Sequence, residues 1–136
     1  MATDIAKEPF NSNIKILPFI DDMASAYSAA DLVICRSGAT SAAELALAAK
    51  PSVLVPLPSA SNNEQFMNAL IFEENKASIL INDKDLKSKL LDSVKQIIFD
   101  NNSLTEMSKN AAKLAKPSAA KDAAIEIIKY MKNHGK

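Results

Sequence analysis

Asp31-Leu-Val-Ile-Cys-Arg-Ser-Gly-Ala-Thr-Ser-Ala-Ala-Glu44 decides the fold. Leu32 to Cys35 reads as a short apolar strand, Ser37-Gly38 as a tight turn, and the alanine-rich run after it as a helix, alanine being the best helix former. A helix that begins where a strand ends puts its N-terminus on the sheet edge where ligands of open parallel sheets collect. The first amides of such a helix lack intrahelical partners and carry the positive end of the dipole, so a phosphate binds there readily. Gly38 is one of only two glycines in the chain. Its retention here points to a left-handed turn or to close backbone approach.

Two readings of Ser41-Ala-Ala-Glu44 stay open. The run matches a capping box, in which the serine takes the fourth amide and the glutamate reaches back. Alternatively the helix starts near Ala39. Glu44 then lies in the second turn, on the same opening as Thr40, where its carboxylate suits a ribose diol.

Working outward, the strand–helix alternation repeats. Upstream, Ile14 to Phe19 is a first strand candidate, with Pro18 marking its end. A short helix capped by Asp22 follows. Downstream, the helix from about Thr40 to Ala49 stops before Pro51. Ser52 to Leu57 is apolar without alternation, as in a strand covered on both faces. Ser59 to Asn63 forms a polar loop, and Glu64 to Glu74 a helix that places Gln65 at its start. Ser78 to Asn82 is the fourth strand. Leu86, Leu90, Leu91, Val94, Ile97 and Ile98 stripe the next helix. Asp100 to Ser103 breaks it and caps a helix carrying Leu104, Met107, Ala111 and Leu114. A last helix spans about Ala119 to Met131. The pattern predicts an α/β, Rossmann-like parallel sheet of about four strands with flanking helices and a helical C-terminus. Residues 1–12 read as a loosely ordered lead-in, and residues 13–136 as the folded unit.

Composition excludes several function classes. The 136 residues carry 16 basic and 16 acidic side chains, a formal charge of zero, against a general nucleic-acid binder. All basic residues but Arg36 are lysines. The single cysteine, Cys35, can form no internal disulfide, which fits a reducing compartment, and its apolar setting predicts an inert buried thiol. The single histidine, His134, lies in the polar tail, against histidine catalysis and a histidine metal site. No metal and no cofactor are expected. No apolar run reaches the ~20 residues of a membrane span.

Phe19-Ile-Asp-Asp-Met23, Ala30-Asp31, Cys35-Arg-Ser-Gly-Ala-Thr-Ser-Ala-Ala-Glu44, Pro51-Ser-Val-Leu-Val-Pro56, Asn63-Glu-Gln-Phe-Met-Asn-Ala-Leu70 and Ala115-Lys-Pro-Ser-Ala-Ala120 together resemble the C-terminal part of the MurG family. That resemblance covers nearly the whole chain from Asn13 onward. The family transfers N-acetylglucosamine to undecaprenyl-pyrophosphoryl-muramoyl-pentapeptide in peptidoglycan synthesis. The resemblance implies part of the C-terminal, sugar-nucleotide domain of a two-domain glycosyltransferase of the B type. It implies UDP-N-acetylglucosamine as ligand. Ile20 matches the residue whose backbone reads the uracil. Ser37 and Gly38 of the turn also belong to the implied UDP-N-acetylglucosamine-binding set, Ala39, Thr40, Ser41, Ala42 and Ala43 meet the diphosphate and ribose, Glu44 takes the ribose hydroxyls, and Gln65 contacts the donor sugar.

The implied chemistry is direct displacement at the anomeric carbon, with helix-terminus amides rather than a metal under the leaving diphosphate. The family's N-terminal acceptor domain and the first glycine-rich loop are expected to lie outside this sequence. The catalytic base therefore stays unassigned. The lipid-linked acceptor would be met through that N-terminal half, present as a separate partner chain if this is a subunit of a split transferase. The implied location is the cytoplasm, peripheral on the inner membrane in the full enzyme. A non-catalytic nucleotide-binding or interaction module is the alternative. Two positions depart from the family pattern: Ala49 and Lys76 stand where glycine is usual, and Asn75 is expected to take over the second turn. If Ala49 needs a positive φ, the cost is roughly 1–2 kcal/mol.

Overall fold

The computed structural model describes residues 12–59, 63–116, 128 and 131–133. Helix α1 spans Met23–Ala29, strand β1 Val33–Cys35, helix α2 Ala39–Leu47, strand β2 Ser52–Leu54, helix α3 Glu64–Glu74 and strand β3 Ser78–Leu80. A 3-10 turn at Asp83–Asp85 leads into α4, Leu86–Ile98, and then α5, Asn101–Lys113. The strands form one sheet in the order β1-β2-β3, both pairs parallel, with Val33, Ser52 and Ser78 in register and Cys35, Leu54 and Leu80 two residues on.

Strand geometry alternates side chains between the two faces, and each face of the sheet has its own core. Leu54 joins Leu45, Ala46, Ala69, Phe72, Ala77 and Ala111 on the side of α2, α3 and α5. Val53 and Val55 join Ile81, Ile97 and Met107 on the other, with Leu86, Leu90 and Val94 of α4 packed against them. Leu45, Val53 and Leu54 are fully buried, each contributing about 1.5–3 kcal/mol of transfer free energy. Burial on both faces explains the unbroken apolar reading of β2.

Capping fixes where two helices begin. Asp22 accepts from the Ser25 amide at 3.1 Å and starts α1 as expected. Asp100 accepts from the amides of Asn102 and Ser103 and starts α5. Helices α2 and α3 end alike. The Lys50 amide donates to Leu45 O and the Ala49 amide to Ala46 O; the Ala77 amide donates to Phe72 O and the Lys76 amide to Glu73 O. These are Schellman closures, with Ala49 at φ 53° and Lys76 at φ 58°. The expectation for Ala49 holds. The expectation for Asn75 does not: it has φ −89° and Lys76 itself takes the left-handed position.

The sheet has three strands among the described residues rather than about four. Ile14 to Phe19 forms no strand, and Leu17 and Phe19 are 60% and 75% exposed. An apolar run becomes a strand only against a ladder partner, and β1 pairs with β2 alone among the described residues. Strand β2 is also shorter than its apolar run, since Pro56 has no amide to donate beyond Val55. The expected lead-in (apart from Ser12) and most of the expected final helix lie outside the described residues.

Candidate functional site

The carboxyl ends of the three strands form one edge, and the exit from β1 organises it. Gly38 is the N-cap of α2, extended at φ −62°, ψ 159°, and makes no side-chain capping bond. The first intrahelical bond runs from the Ala42 amide to Gly38 O at 2.9 Å. The amides of Ala39, Thr40 and Ser41 therefore precede the helix ladder, and Ala39 and Thr40 are exposed. Peptide dipoles place partial positive charge at this point.

That start settles the open choice at Ser41-Ala-Ala-Glu44 against the capping box. Glu44 lies in the second turn, and its Oε2 accepts from the Tyr27 hydroxyl of α1 at 2.7 Å. The carboxylate lines a groove of about 640 Å³ between α1 and α2, with Met23, Tyr27, Leu47 and Lys50. The Lys50 ammonium is directed elsewhere, donating to Ala30 O at 2.8 Å. Burial and the Glu44 carboxylate raise the Tyr27 phenol far above its ordinary pKa.

Two readings of the Ser37-Gly38 turn need correction. Gly38 has no positive φ, so it is not there for a left-handed turn. A Cβ at Gly38 would make only an ordinary contact, with Gln65 Nε2 at 3.8 Å, so nothing among the described residues requires a glycine here. Ser37 is not a surface ligand-binding hydroxyl. It is fully buried, and its Oγ donates to Gln65 O at 2.7 Å while Asn68 Nδ2 donates to Ser37 O at 3.0 Å. Likewise the Ala42 amide is consumed in the helix, and the Ala42 side chain packs against the core. Ala43 is exposed.

Gln65 comes to the same turn from α3. Its Oε1 accepts from the Leu57 amide at 2.9 Å, which holds the side chain across the β2 exit and leaves Nε2 beside Gly38. Gly38, Ala39, Thr40 and Gln65 thus surround the start of α2, with Glu44 farther along the helix. Ile20 stands two residues before the α1 cap, partly exposed, and lines neither the Glu44 groove nor a second cleft of about 500 Å³ at Pro56, Leu57, Phe66 and Asp83.

Three contributors were not assigned from sequence. Tyr27 carries no signal in the sequence beyond its place in the short helix after Asp22. Arg36 stood out as the lone arginine but had no partner in view. Its Nη1 lies 2.7 Å from Asp83 Oδ1 and donates to Val55 O and Pro56 O at 3.4 and 3.3 Å, so one guanidinium spans the exits of all three strands. Asp83 carried no signal, because its pairing depends on the sheet order. Burial raises the pKa of the Cys35 thiol, in keeping with an inert group. No group of three or more metal-ligating side chains occurs among the described residues, and no helix among them is long and apolar enough to cross a membrane.

With this geometry in view, the comparisons with known proteins are informative. Residues 2–123 match the family model of the glycosyltransferase family 28 C-terminal domain. Over 121 residues the chain is 46% identical to the UDP-N-acetylglucosamine--N-acetylmuramyl-(pentapeptide) pyrophosphoryl-undecaprenol N-acetylglucosamine transferase of Vesicomyosocius okutanii, covering 89% of this chain and 34% of that protein. The enzyme of the same name from Bacteroides thetaiotaomicron is 44% identical over 117 residues, 86% of this chain and 32% of its own length. The crystal structure of Acinetobacter baumannii MurG superposes with a TM-score of 0.73 at 36% identity, over 85% of this chain and 33% of that one. The chain spans about a third of the length of the curated relatives it matches.

Proposed function

This chain belongs to the glycosyltransferase family 28 C-terminal domain family, and on that premise we propose that it holds the UDP-N-acetylglucosamine of a transferase making the lipid-linked disaccharide of peptidoglycan. The observation that carries this reading is the open start of α2: three amides ahead of the helix ladder, no Cβ at Gly38, Gln65 alongside, and Glu44 free of the cap. The pyrophosphate sits on the amides of Ala39, Thr40 and Ser41, where the helix dipole favours negative charge. Glu44 accepts from the ribose hydroxyls. Gln65 Nε2 donates to the sugar, and the backbone at Ile20 reads the uracil. Ser37 and Ala42 support this segment from behind, and the exposed Ala43 continues the diphosphate and ribose segment.

In the reaction an acceptor hydroxyl attacks the anomeric carbon as the bond to the β-phosphate oxygen breaks. Negative charge grows on the departing UDP, where fixed amides stabilise it without reorganising. The acceptor is the lipid-linked muramoyl-pentapeptide, met through the N-terminal half of the longer relatives, in the same polypeptide or as a separate chain. The base that takes the acceptor proton comes from that half. The assembled enzyme works peripherally at the cytoplasmic membrane face.

Co-expression of this chain with the N-terminal two-thirds of a relative, followed by an assay of radiolabel transfer from UDP-N-acetylglucosamine to a lipid-linked acceptor, tests the proposal. Transfer that disappears with Glu44→Ala is the expected result. A purified complex of the two parts that binds no UDP and transfers nothing would overturn it.

A further inference from the structure

The groove that holds Glu44 contains a neutral donor on one side and a lysine that ignores the carboxylate on the other. Helix α1 fully buries none of its residues. Tyr27 is the side chain that it packs against the core, and its hydroxyl reaches Glu44 Oε2 of α2 at 2.7 Å. Lys50, which lines the same groove, donates instead to Ala30 O at 2.8 Å. One Glu44 oxygen is therefore fixed by the phenol, and among the described residues Oε1 accepts no hydrogen bond.

We propose that Tyr27 is a positioning residue that fixes the Glu44 carboxylate so that Oε1 is presented to the 2′,3′-diol of a ribonucleotide. This inference rests on the donor-site reading above and adds to it the residue on which ribose selection depends. A glutamate on a helix surface samples several rotamers, and each ordered contact must overcome that freedom. The phenol selects one carboxylate orientation before the ligand arrives. A bound diol then meets an oxygen with two lone pairs, enough for both hydroxyls. A nucleotide lacking the 2′-hydroxyl leaves one of those lone pairs unused, so the orientation set by Tyr27 matters less to it.

The test is calorimetric titration of this chain with UDP and with 2′-deoxy-UDP. Wild type binds UDP more tightly. Tyr27→Phe, its fold checked by thermal melting, weakens UDP by three- to tenfold and 2′-deoxy-UDP by less, so the preference narrows. In a Glu44→Gln background the same substitution changes UDP affinity by less than twofold. Incorporated 3-fluorotyrosine keeps the ring and strengthens the donor, so the preference holds or widens; this second readout does not depend on removing the hydroxyl. If the wild-type preference survives Tyr27→Phe unchanged, or falls with fluorotyrosine, Tyr27 does not position Glu44. A wild type that binds both nucleotides equally, or neither, overturns the donor-site reading and this proposal with it.

Discussion

The hydroxyl of Ser37, fully buried, donates to the backbone carbonyl of Gln65 across 2.7 Å. This bond ties the turn after β1 to the first turn of α3, and Asn68 Nδ2 reinforces it from the same helix through Ser37 O at 3.0 Å. Removing the hydroxyl deletes this tie between the two elements at a buried seam. Ser37→Ala should lower stability by about 1–2 kcal/mol, read as a lower urea midpoint with unchanged slope. UDP-N-acetylglucosamine affinity should fall with it, because the same seam places Gln65 beside Gly38. A variant as stable as wild type would show that the bond contributes nothing net.

Gln65 is held by its oxygen and offers its nitrogen. The Leu57 amide occupies Oε1 at 2.9 Å, so Nε2 remains for a ligand. Gln65→Ala should weaken UDP-N-acetylglucosamine by about tenfold and UDP by much less, since a single hydrogen bond to the sugar is worth roughly 0.5–1.5 kcal/mol. Parallel titrations with the two ligands check this. Equal losses for both would place Gln65 on the nucleotide instead.

Ala49 and Lys76 close α2 and α3 at φ 53° and 58°, positions that glycine occupies without a Cβ clash. The left-handed conformation costs roughly 1–2 kcal/mol for a residue with a side chain, and glycine's extra freedom in the unfolded chain returns part of that. Ala49→Gly and Lys76→Gly should each stabilise by about 1 kcal/mol, and their effects should add because the two turns are separate. Thermal melting measures it. A destabilised glycine variant would mean that the side chain contributes more than the strain.

Asp100 makes the start of α5 sensitive to acid. The Ser103 hydroxyl and amide and the Asn102 amide hold its carboxyl below the ordinary carboxylate value, the hydroxyl bond contributing most. A carboxyl depressed in the folded state contributes stability that is complete above the unfolded value, about pH 4, and disappears as pH falls through the folded value. Asp100→Asn keeps an acceptor oxygen but does not titrate. Wild type should therefore be the more stable of the two at pH 7, and the difference should shrink as pH falls below about 4. A difference that does not change with pH would contradict this origin.

Much of the fold was legible because local rules agreed. Alternating apolar runs, Asp22 and Asp100 as caps, and Pro51 as a stop give the element order directly. The Glu64–Glu74 and Leu86–Ile98 helices follow from spacing alone. Ile14 to Phe19 misled because pairing, not composition, makes a strand. The site was legible in its backbone part, since Gly38 followed by small residues marks an open helix start. It was not legible in its side-chain part. Whether Glu44 caps its own helix or faces a groove depends on Tyr27, seventeen residues away. The role of Arg36 depends on Val55, Pro56 and Asp83 converging at one sheet edge. Such pairings depend on strand order and register, which no local pattern encodes.

A crystal structure of this chain with UDP tests the central claim most directly. The account predicts β-phosphate oxygens within hydrogen-bond distance of the amides at Ala39, Thr40 and Ser41, with the Glu44 carboxylate on the ribose hydroxyls. A nucleotide bound elsewhere, or one whose pyrophosphate avoids the start of α2 while Glu44 stays bound only to Tyr27, would contradict it.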